Sequence, residues 1–280
     1  MRVLIKTSKW AIWARRLGSL ALPLVVIPVF MHRQGLVESP VFLVLAAFAA
    51  AIAGLSVLCA MVALVRLWHT GDQGWGRALL GLLLGLICLA PFCWYGYLAW
   101  RYPPVTDMAT VERGDLPLVF EPDTIAMPPP RLIAPDEQAE QFPNVTTRTY
   151  PLDVIQLFAL VDRQVRDNGW DVRLRSEPLD YGQTGRINAR ILTLPGWREE
   201  AVLRVEPVAG GTKVDMRSAS INAPHDFGSN GNRISDFLVA LDAGVTTFMR
   251  DNPNINEPVP VEDEPSPEVQ TGDGAGTEGD

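Results

Sequence analysis

Two uninterrupted apolar runs constrain this chain more than any other feature. No Asp, Glu, Lys, Arg or His occurs in residues 39–65 or in residues 78–100. A helix needs about 20 residues to cross a hydrocarbon core roughly 30 Å thick, so each run is long enough. Within hydrocarbon, only a helix satisfies the backbone polar groups of such a run internally. The sequence therefore predicts transmembrane helices near residues 41–65 and 78–100.

A third apolar stretch, near residues 17–32, is shorter and contains Pro23 and Pro28. Arginines at both of its ends can extend their charged groups to the membrane surfaces, so a short helix can still span. A signal peptide would need a small-x-small cleavage site after the stretch, and none follows. An uncleaved first span is therefore favoured. The alternative is that this stretch lies on the membrane surface and the chain forms a two-helix hairpin.

The distribution of basic residues bears on orientation. With three spans, seven Lys and Arg residues lie on the side of the N-terminus, and Arg33, Arg101 and Arg113 lie on the other. Positive residues accumulate on the cytoplasmic side, so this count predicts a cytoplasmic N-terminus and an external C-terminal domain. The hairpin alternative scores eight against two and places the C-terminal domain inside. Length and apolarity of the first stretch favour three spans.

Composition excludes several classes of protein. Net charge is +7 over residues 1–101 and −7 over residues 102–256, and residues 257–280 add eight acids and no base. This balance excludes a nucleic-acid partner recognised through net positive charge. The two long spans carry no Asp, Glu, Lys, Arg or His, which disfavours a pump or coupled transporter. The small-xxx-small pair Gly81 and Gly85 indicates packing between helices of one chain, or alternatively a dimer contact.

The remainder of the chain divides into three parts. Prolines are dense in residues 102–150, which predicts a linker without helices that acts as a spacer or wraps on the next domain. Residues 151–252 show the periodicities of an ordered domain. The Pro, Glu, Asp and Gly composition of residues 253–280 predicts a disordered acidic tail.

Hydrophobic periodicity predicts an α+β fold for the domain. Apolar residues recur at helical spacing from Val154 to Val165 and again from Ile234 to Phe248. Between these two helices, apolar and polar residues alternate in four stretches, as in half-buried strands. The strands are predicted near residues 170–175, 186–191, 201–206 and 213–217. A four-stranded antiparallel meander flanked by helices, with one sheet face covered, accounts for this order.

The uncovered sheet face would collect many basic residues beside Asp171, Glu206 and Asp215. Arginine matches phosphate and carboxylate oxygens in a bidentate geometry, so this face is a candidate site for an anionic lipid headgroup or envelope polymer. Alternatively, it is a solvated face with cross-strand ion pairs. The basic residues are Arg173, Arg175, Arg186, Arg190, Arg204, Lys213 and Arg217.

Residues 217–233 contain Ser, His and Asp, but they lack the spacing of a catalytic or metal site. No Gly-x-Ser-x-Gly motif occurs, and His225 is the only histidine after residue 100. The sequence therefore predicts no catalytic residue, no metal and no cofactor. In the simplest account, Asp226 or Ser229 caps the last helix.

The same stretch resembles a known family. Val214-Asp215-Met216-Arg217-Ser218-Ala219-Ser220, Asp226-Phe227-Gly228-x-Asn230 and Arg233-Ile234 are similar to the signature of domain-of-unknown-function family 1499. Residues 104–110, Gly169-Trp170 and residues 197–205 are similar to its earlier motifs, so the resemblance covers about residues 102–250. The chain departs from the family at Glu199-Glu200, where a pair of Asp is usual, and at Pro224-His225.

The resemblance implies a bacterial protein without established activity, often anchored in the membrane. Its most regular polar positions correspond to Asp215, Arg217, Ser218, Ser220, Asp226, Asn230 and Arg233, which form either a ligand site or a buried network joining the last strand to the last helix. The candidate ligand-binding residues are Arg173, Arg190, Arg204, Arg217, Asp226, Asn230 and Arg233.

Two functions follow as hypotheses. The first is a non-enzymatic, multi-pass protein of the bacterial inner membrane with a periplasmic domain. Its partners would be membrane lipids together with an anionic envelope ligand or a protein. The second is an envelope hydrolase that uses Asp226 with Ser218 or Ser220.

Overall fold

The computed structural model describes residues 7–253, which form three long helices followed by one α+β domain. The helices are α1 (Lys9–Arg33), α2 (Ser39–Thr70) and α3 (Trp75–Arg101), and each is long and apolar enough to cross a membrane. The three predicted N-terminal helices are therefore confirmed. The predicted acidic tail lies outside the described residues from position 254 onward, as do the two basic residues before position 7.

Helix α1 packs along both other helices and begins earlier than the predicted span. Ala14 and Gly18 of α1 are buried, and a side chain added at Gly18 would meet the Ser56 hydroxyl and the Gly81 backbone. The Ser56 hydroxyl lies 2.8 Å from the Ala14 carbonyl and 2.9 Å from the Gly81 carbonyl, so it bridges all three helices. Small residues allow this close approach of backbones. The first segment is thus part of a three-helix bundle.

The domain contains one six-stranded antiparallel sheet with the order β1-β6-β5-β4-β3, and β2 also pairs with β6. This confirms the predicted α+β class. In chain order the elements are β1 (Asp107–Ala109), α4 (Pro122–Ile125), α5 (Pro135–Gln141), β2 (Arg148–Tyr150), α6 (Val154–Asp167), β3 (Asp171–Ser176), β4 (Gly185–Leu192), β5 (Arg198–Val208), β6 (Gly211–Ser220) and α7 (Ser229–Asp251).

The proline-rich segment differs from the expectation in two respects. It adds β1 and β2 to the free edge of β6, so the sheet has six strands where the sequence predicted four. It also contains the short helices α4 and α5, although no helix was expected there. Pro122 and Pro135 begin these helices, at positions where the missing N–H costs no hydrogen bond. Proline density therefore marks helix starts here.

The main core lies between one face of the sheet and helices α6 and α7. Phe158 of α6, Leu238 of α7 and Met216 of β6 are almost completely buried in it. The side chain of Asp153 caps α6 by accepting a hydrogen bond of 2.8 Å from the Gln156 N–H. Because Phe158 and Leu238 lie in this core, both predicted helices of the domain pack on the sheet through their apolar faces.

The second face of the sheet is covered by the segment between β1 and α4. Leu116 is fully buried in a small cluster with Val202 of β5. The Val119 N–H donates to the Glu200 carboxylate over 2.7 Å, and the Pro117 carbonyl accepts from the Asn188 amide over 3.2 Å. The face that the sequence predicted to be uncovered is thus closed over by the chain itself.

The loop between β4 and β5 rests on the ends of α1 and α2. His32 is buried, with Nδ1 2.7 Å from the Pro195 carbonyl and Nε2 3.0 Å from the Ser39 hydroxyl. Because a carbonyl only accepts, Nδ1 donates to Pro195, and in a neutral ring Nε2 then accepts from Ser39. Arg33 donates to the Thr193 carbonyl over 2.7 Å. The domain is therefore fixed to the helix ends by direct hydrogen bonds.

Candidate functional site

A buried ion pair joins Arg217 of β6 to Asp107 of β1. Nε of Arg217 lies 3.0 Å from one carboxylate oxygen of Asp107, and Nη2 lies 2.7 Å from the other. Nη1 donates to the Leu116 carbonyl over 2.8 Å. Asp107 has no exposed surface and Arg217 is 8% exposed. The charge of Arg217 is thus neutralised within the chain, and the pair attaches β1 to the sheet.

Arg204 of β5 forms a second ion pair beneath the same segment. Its Nη2 lies 2.9 Å from the carboxylate of buried Asp215, which also accepts from the Thr147 hydroxyl over 2.6 Å. Burial acts to lower the pKa of Arg204, but the hydrogen bond and charge of Asp215 outweigh it, so the net pKa is raised. Arg204 therefore stays charged and is held by an internal carboxylate.

A polar network connects β6 to the start of α7. The Ser218 hydroxyl donates to the Asn230 amide oxygen over 2.8 Å, and the Asn230 amide donates to the Ser220 hydroxyl over 3.1 Å. Arg233 donates to Ser218 over 2.8 Å and to the Glu199 carboxylate. Glu199 also accepts from Ser220 over 3.1 Å. Each of these side chains has partners within the network, which fixes the last strand against the last helix.

Asp226 is occupied by the turn that begins α7. Its carboxylate accepts from the Gly228 N–H over 2.9 Å and from the Asn230 N–H over 3.3 Å. Phe227, which lies between Asp226 and Gly228 in the chain, has a positive φ of 54°, a backbone conformation that bulky residues rarely adopt. Nδ1 of His225 accepts from the Phe227 N–H over 2.9 Å. The carboxylate therefore stabilises a strained turn and a helix start.

A polar cavity of about 590 Å³ opens at the end of the sheet that faces the membrane helices. We call it the arginine cavity. It lies between the end of α1, the start of β5, strands β3 and β4, and helix α4. Four arginines and three carboxylates line it, which leaves one positive charge in excess. The charged residues are Arg33, Arg173, Arg190, Arg198, Glu121, Asp123 and Asp171.

The arginines of this cavity differ in how fully they are paired. Arg190 is 11% exposed and lies 3.0 Å from Asp123 and 3.2 Å from Glu121. Arg173 lies 2.6 Å from Glu121. Arg198 is half-exposed, and its only carboxylate contact in the described chain is 3.5 Å from Asp123. Arg190 and Arg173 are therefore committed to internal pairs, whereas Arg198 keeps donors free.

Asp123 stays ionised beside these arginines. Burial acts to raise its pKa, but the hydrogen bonds and charge of Arg190 and a smaller contribution from Arg198 lower it overall. Because the pKa of Asp123 is lowered, its ion pairs with Arg190 and Arg198 persist below the ordinary pKa of an aspartate and are lost only as the pH falls through the lowered value. At neutral pH the cavity therefore presents fixed charges.

The structure separates the seven predicted ligand-binding residues into three places. Arg173 and Arg190 line the arginine cavity. Arg204 and Arg217 lie in ion pairs beneath the covering segment. The remaining three, Asp226, Asn230 and Arg233, lie at the turn and network before α7. The residues thus do not form one site.

Arg33, Arg198, Glu121 and Asp123 were not among the predicted ligand-binding residues. Arg33 belongs to a membrane helix, and 165 positions separate it from Arg198 in the sequence. Glu121 and Asp123 flank a proline in the segment expected to be a linker. The sequence signal for this helix was the pair of acidic residues around Pro122, because proline and acidic residues favour the first turn of a helix. Within residues 7–253 no group of three or more His, Cys, Asp or Glu is arranged to hold a metal ion.

Comparison with known proteins gives one finding about relationship. No curated protein matches the chain. Residues 133–241, from just before α5 into α7, match the family described as Protein of unknown function (DUF1499), and this confirms the resemblance predicted from the motifs around residues 214–234.

Proposed function

We propose that this chain is a non-enzymatic binding protein of the bacterial inner membrane. Helices α1–α3 anchor it, and the α+β domain faces the periplasm, where it recognises an anionic component of the envelope at the arginine cavity. Three helices long enough to cross a membrane support the anchoring. The excess of basic residues on the N-terminal side supports the orientation.

One observation carries the proposal. Arg33 is the exposed last residue of α1, and its hydrogen bonds in the described chain are to the carbonyls of Thr193 and Leu194, not to a carboxylate. A guanidinium with free donors, in the same cavity as half-exposed Arg198, gives this cavity two cations for an anionic group. Their place at the end of a membrane helix favours a ligand at the membrane surface, such as a phospholipid headgroup.

The hydrolase hypothesis has less support. Asp226 accepts two backbone hydrogen bonds at the start of α7. The hydroxyls of Ser218 and Ser220 bond to Asn230, Arg233 and Glu199, and within the described residues neither bonds to Asp226 or to a histidine. The one carboxylate in reach, that of Glu199 at Ser220, is held in an ion pair by Arg233. Activation of a serine needs a base within hydrogen-bond reach.

Charge reversal at Arg33 and Arg198 tests the binding. We expect the full chain, in nanodiscs of neutral phosphatidylcholine, to bind soluble dihexanoyl phosphatidylglycerol at least about fivefold more tightly than dihexanoyl phosphatidylcholine, since one charge-assisted hydrogen bond exceeds 1 kcal/mol. Arg33→Glu with Arg198→Glu should abolish this preference. Isothermal titration at two salt concentrations measures it, because screening weakens an electrostatic preference.

A double variant elsewhere provides the control. Arg163 and Arg250 are exposed on α6 and α7 and do not line the arginine cavity. Arg163→Glu with Arg250→Glu changes the net charge equally and should keep the preference. Loss of preference in both double variants would reduce the effect to overall charge, and an unchanged preference in the cavity variant would exclude the cavity as the site.

The side of the membrane on which the domain lies is a separate prediction. Alkaline phosphatase fused after Asn252 should be active, and a fluorescent protein fused at the same position should be dark, because three spans place the two ends of the chain on opposite sides. Assay of both fusions in bacterial cells measures this. A fluorescent fusion without phosphatase activity would place the domain in the cytoplasm and contradict the periplasmic assignment.

A further inference from the structure

An apolar groove of about 240 Å³ lies where the three membrane helices meet the domain. Side chains of all three helices line it, including Pro28 of α1, Ala46 of α2 and Tyr95 of α3. Trp197 and Phe227 of the domain close its upper end. Its helical walls belong to segments that can cross a membrane, so in a bilayer these walls lie next to hydrocarbon.

Trp197 supplies an unpaired polar group at this place. Its side chain is 6% exposed, yet its indole N–H has no hydrogen-bond partner in the described chain. Rings of Phe42, Tyr95 and Phe227 surround it and offer no strong acceptor at the nitrogen. A buried donor without a partner costs about 1–3 kcal/mol. The nitrogen itself has almost no exposed surface, so a ligand that brings an acceptor into the groove would remove this cost once the indole ring rotates toward it.

Arg33 contacts the loop between β4 and β5, which also lines the groove. Leu194 and Pro195 line the groove, while Arg33 donates to the Leu194 carbonyl over 3.0 Å and lines the arginine cavity. Along α1 the groove residue Pro28 precedes Arg33, the last residue of the helix, so the order along this helix is the apolar groove, which Trp197 also lines, and then the guanidinium. That order matches the hydrocarbon chain, ester carbonyl and anionic headgroup of a phospholipid.

We infer that the groove binds one acyl chain of an anionic membrane phospholipid, with the ester carbonyl at Trp197 and the headgroup at Arg33. This inference rests on the proposed function and identifies its ligand class. A transmembrane helix of a partner or of a second copy fits less well. The backbone carbonyls of a helix are already hydrogen-bonded, so they leave the Trp197 donor unsatisfied.

Filling the groove tests the inference. Full-length protein in nonionic detergent, incubated with palmitoyl-oleoyl phosphatidylglycerol, should retain one lipid in native mass spectrometry. Ala46→Phe should abolish retention, because the new ring occupies the groove. Ala47→Phe is the matched control, since Ala47 is exposed beside it and does not line the groove. Trp197→Phe keeps a ring and removes the donor, and it should lower retention about fivefold.

The outcomes separate this inference from the proposed function. Equal retention in Ala46→Phe and Ala47→Phe, both with unchanged melting temperatures, would overturn the groove as the site. Short-chain headgroup preference without any retained long-chain lipid would keep the proposed function and overturn the groove. Retention of phosphatidylcholine as strong as that of phosphatidylglycerol, lost in Ala46→Phe, would support the groove and contradict anionic recognition. A bound polypeptide in place of lipid would overturn the inference.

Discussion

Replacing Arg217 with Met should lower the free energy of unfolding of the domain by about 3–5 kcal/mol. The substitution leaves the Asp107 carboxylate buried with its main ion-pair partner removed, and Asp107 has no exposed surface. It also removes the donor to the Leu116 carbonyl. Pulse proteolysis of the full chain across a urea series measures the loss, because it follows cleavage of the domain without a signal from the membrane helices.

An exposed arginine provides the comparison. Arg173 has the same charge and two carboxylate partners, but its side chain is 40% exposed. Arg173→Met should therefore cost less than about 1 kcal/mol, as exposed ion pairs usually do. Adding Asp107→Leu to Arg217→Met should recover part of the loss, since no unpaired charge is then buried. Equal costs for Arg217→Met and Arg173→Met would contradict the assignment of Arg217 as a buried structural residue.

The elements with a regular period could be predicted from the sequence, and the covering segment could not. Strand β4 alternates Ile187 and Ala189 with Arg186 and Asn188, so its two faces and its pairing follow from local pattern. By contrast, β1 has only three residues, and its position depends on the pair between Asp107 and Arg217, which are 110 residues apart in the chain. Three residues give no period to detect.

The same lack of a periodic signal explains why the candidate site could not be predicted from the sequence. Arg186, Arg204 and Asp215 lie opposite one another on one sheet face as predicted, but a bulge in β3 turns Arg175 away from that face to Asp162 of α6. What covers the face depends on Leu116 and Pro117, which have no periodic signal. Once they cover it, Arg204 and Arg217 have carboxylate partners. The incompletely paired cations of the arginine cavity are Arg33 and Arg198 instead. Contact of a membrane helix with a loop of the domain comes from tertiary packing, so the sequence alone did not identify it.

Gly81→Leu should destabilise the three-helix bundle by about 3 kcal/mol or more. A Cβ at Gly81 would lie 2.4 Å from the backbone carbon of Ala14, so α1 must move away from α3. Overpacking in a core costs about 1–3 kcal/mol where side chains can yield, and a backbone neighbour yields less. The move also breaks the bridge from the Ser56 hydroxyl to both helices. The thermal midpoint in detergent should fall by about 6–12 °C.

Gly96, another glycine of α3, provides the control that distinguishes a packing clash from the change of residue type itself. A Cβ at Gly96 would meet no atom within 4 Å, so Gly96→Leu makes the same change in helix propensity and lipophilicity without a clash. Its thermal midpoint should stay within about 2 °C of the original or rise slightly, because leucine favours helix over glycine. Similar midpoints for the two variants would mean that α1 does not pack against α3 at Gly81. The first segment would then lie apart from the bundle, and the opposite placement of the chain ends would lose its structural basis.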